Sequence, residues 1–94
     1  MTELDENFFK RADEHIKLSN DQLSRASMGK VSASMLYGAA RFNAWVNANG
    51  FNDGKEMEAA MKETIEYFVE EYKNMLKENL DDYIKNFATY MNKQ

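Results

Sequence analysis

One cation, Arg41, lies in the most apolar stretch of the sequence, between Gly38, Ala40, Phe42, Ala44 and Trp45. A guanidinium so placed is at least partly withdrawn from water and needs a carboxylate or an aromatic face in compensation. Two chemistries meet that need. In the first, Arg41 forms a structural ion pair with Glu66, Glu70 or the Asp81-Asp82 pair, its stem packed over Tyr37 or Trp45. In the second, Tyr37, Arg41, Asn43 and Trp45 line an interhelical pocket for a small anion or other small ligand, conceivably a substrate. The first is the more ordinary reading, because structural ion pairs also occupy such places.

The remaining reactive residue types make weaker cases. His15 is the sole histidine and follows Asp13 and Glu14, which point away from it around a helix. A ferritin-like site would need an acid three residues before each of two histidines; Ala12 fills that place and there is no second His. Glu63, Glu66 and Glu70 share a helix face and could converge on a divalent cation, but Lys62, Lys73 and Lys77 are interspersed, as on a solvated charged face. Gly29-Lys30-Val31-Ser32 lacks the first glycine and the preceding strand of a phosphate loop. Arg25 and Lys30 near a helix start offer only a generic anion contact. No catalytic, metal-binding or cofactor-binding residue is assigned, and no metal or cofactor is expected.

Composition narrows the class further. There is no Cys, which excludes thiol catalysis, disulfides and Cys-ligated zinc, and no Pro, which favours long uninterrupted helices. With 12 basic and 16 acidic residues the formal net charge is −4, a poor basis for binding nucleic acid or anionic membranes. The acidic start Thr2-Glu-Leu-Asp-Glu6 is unlike a secretory signal, and no run of 18 uncharged apolar residues occurs. A soluble cytoplasmic protein is expected. At 94 residues it should form one helical domain, residues 1–94, with a modest core.

The elements that would position these residues are helices. Phe8, Phe9, Ala12, Ile16 and Leu23 mark an amphipathic helix over about residues 5–24, capped by Asp5. Val31, Met35, Ala39, Phe42 and Val46 form the core stripe of a central helix over 30–49, entered at Ser27 or Gly29 and stopped by a left-handed Gly50. Its second stripe, Ser34, Tyr37, Gly38, Arg41, Trp45 and Ala48, predicts a helix buried between neighbours. Asp53 and Glu56 have capping-box spacing for the next helix.

That next helix keeps apolar steps of three or four from Met57 to Met91. Unbroken from 54 to 91 it would measure about 57 Å, against about 32 Å across a compact chain of this length. A break is therefore expected, with Asn79 as cap of a short fourth helix from about Asp81 to Met91. The fold class is all-α, a bundle of three to four helices.

Arg41-Phe-Asn-Ala-Trp45, together with the segment from Tyr67 to Phe87 (YFVEEYKNMLKENLDDYIKNF), resembles a small bacterial family known as domain of unknown function 3144, over roughly Phe8 to Phe87. The resemblance implies a short helical cytoplasmic protein without an assigned activity, and supplies no catalytic residues. From the residues themselves, the expected role is non-enzymatic: self-association as a homodimer, or binding to another protein, through Phe68, Tyr72, Leu76, Tyr83, Ile84, Phe87 and Met91. The small-ligand pocket around Arg41 is the alternative.

Overall fold

A computed structural model describes residues 5–92. Its elements are α1 (Phe8–Gln22), α2 (Met28–Ala48), α3 (Gly54–Ala59), α4 (Met61–Lys85) and α5 (Phe87–Met91), with no strand among the described residues. The all-α class therefore holds, with five helices in place of three to four. No helix among the described residues is long and apolar enough to cross a membrane. The described chain falls into two compact units, residues 5–57 and 58–92.

In the first unit, α1 begins after a tight turn held by Asp5, whose Oδ1 accepts the Asn7 N–H at 2.8 Å while its carboxylate pairs with Arg11 at 3.0 Å. The Arg11 bond, reinforced by the Asn7 N–H, lowers the Asp5 pKa. α1 and α2 are joined by residues 23–27, and Ser27 caps α2 by accepting the Lys30 N–H at 3.3 Å. Phe8, Ala12, Ser19 and Gln22 are the half-buried residues of α1. They lie within about 80° of one another at 3.6 residues per turn, and the Ser19 hydroxyl donates to the Met35 sulfur at 3.2 Å. Val31 is the single buried residue among those described, 6% exposed.

Two expectations for α2 need correction. α2 is not buried between neighbours: Met35, Phe42 and Val46 of its core stripe remain exposed. Its unit contains one other long helix, and one amphipathic helix covers one face of another. Nor does a left-handed Gly50 end α2, since no glycine among the described residues has positive φ. Instead Asn49 remains right-handed, its side-chain amide donates to the Trp45 carbonyl at 2.7 Å, and the Gly50 and Phe51 N–H groups donate to the Asn47 and Ala48 carbonyls. The capping pair at α3 does form: Asp53 accepts the Glu56 N–H at 2.9 Å, and Glu56 reaches back to the Asn52 N–H at 2.8 Å.

In the second unit the expected break at Asn79 is absent. α4 runs through it, because the Asn79 amide donates to the Met75 carbonyl one turn back at 2.8 Å and is not available to start a new helix. The interruptions fall at Ala60 and Asn86. At Asn86 the side-chain amide donates to the main-chain carbonyl (3.2 Å) and carboxylate (2.8 Å) of Asp82, which also accepts from the Tyr90 hydroxyl at 3.0 and 3.2 Å. The Tyr83 and Tyr90 rings meet at 49°, their centres 4.8 Å apart. Asp82 thus fastens α5 to the end of α4.

This fastening is pH-sensitive. The Asp82 carboxylate holds the Tyr90 phenol in its protonated form and raises its pKa above the ordinary 10.0. The bond stabilises the neutral phenol, so its contribution is fully present below pH 10 and is lost as pH rises through the raised value. In an NMR titration Tyr90 should ionise above pH 10, and Asp82→Asn should bring its midpoint back toward the ordinary value. A midpoint unmoved by that substitution would mean that Asp82 does not carry the contact.

Candidate functional site

α2 brings Tyr37, Arg41 and Trp45 to one side, four residues apart on successive turns. With Gly38, Phe42, Ala44 and Ala48 of the same helix and Met57 of α3 they line an open depression of about 690 Å³, wholly within the first unit. The floor is formed by Gly38, Ala44 and Ala48, which carry little or no side chain; a Cβ built on Gly38 would meet nothing within 4 Å. The walls are aromatic. Tyr37 is 70% and Trp45 62% exposed, and Phe42 stands against Trp45 with ring centres 5.6 Å apart. Met57 is brought to the rim by the turn after α2 and by the Asp53 cap, and is half-buried there.

Asn43 is not part of this surface. It lies two residues from Arg41, about 160° away if position 43 is compared with 41 at 100° per residue, and is half-buried elsewhere on α2. That separation was available from spacing alone. Phe42 and Met57 carried no such signal: each falls on a stripe that reads as core, and only the exposure of α2 places them on an open surface. Arg41 has no carboxylate partner among the described residues of its own unit. Glu66, Glu70, Asp81 and Asp82, the acids expected as its partners, belong to the second unit.

The stripe residues occupy that second unit. On α4, Met61, Ile65, Phe68, Tyr72, Met75, Leu76 and Tyr83 fall within an arc of about 100°, with Glu63, Glu66, Glu70, Lys77 and Asp81 opposite. The face is open to water: Phe68 is half-buried, while Tyr72, Leu76 and Tyr83 are exposed, as are Phe87 and Met91 of α5; Ile84, 74% exposed, lies about 80° around the helix from Leu76, outside that arc and level with Glu66 and Lys77. The charged back is held by local contacts such as Lys77 to Asp81 at 2.9 Å, a pair that raises the Lys77 pKa through the hydrogen bond. His15 is exposed on α1, and no group of three His, Asp or Glu side chains among the described residues is gathered to hold a metal. The side chains around the depression include no nucleophile aligned with a base.

Comparison with known proteins agrees with the fold and assigns no activity. A family model described as protein of unknown function (DUF3144) matches residues 8–84. No curated protein matches the chain. The chain is similar to the NMR structure of the protein NB7890A from Shewanella sp, with 38% sequence identity, a TM-score of 0.77 and 99% of each chain covered.

Proposed function

Since the chain belongs to the DUF3144 family of proteins of unknown function, we propose that it is a non-enzymatic, self-associating helical protein whose interface is the apolar stripe of α4 and α5. The observation that carries this reading is the exposure of Tyr72, Leu76, Tyr83, Ile84, Phe87 and Met91 on one amphipathic unit. A large apolar side chain about half exposed leaves on the order of 100 Å² in water. Counting Met61, Ile65 and Met75 with Tyr72, Leu76 and Tyr83, the arc of α4 leaves about 600 Å² exposed. Soluble monomers rarely expose contiguous apolar patches larger than a few hundred Å². A stable dimer buries about 800 Å² per partner. With Phe87 and Met91 of α5 the stripe comes to about the area of one interface.

The test is mass against concentration, by light scattering behind size exclusion across a hundredfold range. The expected result is a species of about 22 kDa, twice the 11.0 kDa of one chain. A particle that stays at 11.0 kDa through the millimolar range would rule out self-association.

A further inference from the structure

We infer that Asp82 is a positioning residue for self-association: its carboxylate, held by Asn86 and Tyr90, sets α5 where Phe87 and Met91 lengthen the α4 stripe to a full interface. The inference rests on the self-association proposed above and names the device that completes its surface. Area is the first argument. The arc of α4 alone leaves about 600 Å² exposed, short of what a stable dimer buries on each partner, about 800 Å². Phe87 and Met91, 50% and 44% exposed, supply the difference, and both belong to α5. The four-residue helical step is kept across the joint, because the Asn86 N–H donates to the Asp82 carbonyl at 2.9 Å and the Tyr90 N–H to the Asn86 carbonyl at 3.0 Å. Phe87 therefore lies one turn beyond Tyr83, at the end of the stripe.

The second argument is that α5 does not hold itself there. Isolated helices shorter than about 12–15 residues are marginal in water, and α5 has five. Asn86, at φ −112° and ψ 27°, leaves the helical path between α4 and α5. The side-chain hydrogen bonds across this joint, from the Asn86 amide and the Tyr90 hydroxyl, all end on Asp82, with the Tyr83 ring against that of Tyr90 beside them. Charge points the same way. Asp82 sits in the last turn of α4, where the carbonyl end of a helix disfavours an acid, and both of its donors are neutral. Alanine would suit α4 better at this position. Asp82 thus acts against α4 locally and for α5 across the joint.

The experiment compares the wild type, Asp82→Ala and Tyr90→Phe by sedimentation velocity, and reads the NMR Cα shifts of residues 87–91 in Leu76→Asp/Ile84→Asp chains with and without the same changes. Each variant should weaken self-association about tenfold or more, since two apolar side chains on each partner leave the contact. In the separated chain the shifts of residues 87–91 should move from helical to coil values, while those of residues 61–81 stay helical. Tyr90→Phe separates the causes: it keeps the ring and removes only the hydroxyl, so an α5 held by apolar contact alone would associate as tightly as the wild type. If both variants associate like the wild type, the positioning role is overturned and the self-association stands. Weakened association with residues 87–91 still helical would make Asp82 and Tyr90 direct contacts to the partner, which also overturns it. A monomeric wild type removes the proposed function and this inference together.

Discussion

Aspartate at both Leu76 and Ile84 should hold the chain at 11.0 kDa at concentrations where the wild type is fully associated, with far-UV circular dichroism essentially unchanged. The two halves of that result have separate causes. In one chain the side chains are 42% and 74% exposed, so the introduced carboxylates stay hydrated and cost the helix about 0.5 kcal/mol each in propensity. In the associated state the carboxylate at Leu76, on the arc, would lie against the apolar face of a partner, where an unpaired carboxylate costs several kcal/mol, while the one at Ile84 sits beyond the margin of that face. One such site on each of two chains amounts to a loss of association of about a thousandfold or more. Loss of helicity in place of dissociation would show that Leu76 and Ile84 support the fold of the single chain, and would remove the exposed stripe as an interface.

The second large effect is expected at Val31. Val31→Ala should cost about 2 kcal/mol, because it deletes two largely buried methyl groups where no other buried residue among those described can compensate. The loss should be confined to the first unit. Trp45 is the only tryptophan and lies in α2, so its fluorescence reports on this unit alone, whereas helical circular dichroism reports on both. In urea the fluorescence midpoint should fall well below that of the wild type while the part of the dichroism arising from residues 61–85 melts as before. Coincident shifts of both probes would mean that the two units unfold as one cooperative body, against the separation seen in their internal contacts.

Both predictions rest on a chain whose helices are well specified and whose faces are mostly uncovered. The local half of that description is legible in the residues. Ser27 caps α2 through its hydroxyl, and the Asp53-Glu56 spacing becomes a pair of bonds to backbone N–H groups. The Met57-to-Met91 periodicity corresponds to α3, α4 and α5, separated only at Ala60 and Asn86. Such features depend on groups within one turn of each other. Sequence alone misplaces the break because Asn79 and Asn86 have the same capping chemistry on paper. Asn79 spends its amide on its own helix, while Asn86 shares Asp82 with Tyr90, a residue four positions further on that reaches Asp82 only once the helix has turned.

The candidate site divides in the same way. That Arg41, Tyr37 and Trp45 share a face, and that Asn43 does not, is fixed by helical geometry once α2 is recognised. That this face is open, with Phe42 and Met57 on its walls, required the tertiary structure. By itself the sequence determined the all-α class, the Ser27 and Asp53-Glu56 caps but not those expected at Asp5, Gly50 and Asn79, the charged back of α4 and the apolar stripes, because each of these is written in spacings of three and four residues. Only the tertiary structure decided that Val31 is buried and that Met35, Phe42, Leu76 and Ile84 are not. Periodicity marks which side of a helix avoids water; what covers that side depends on contacts between residues far apart in the chain, and those carry no local signature.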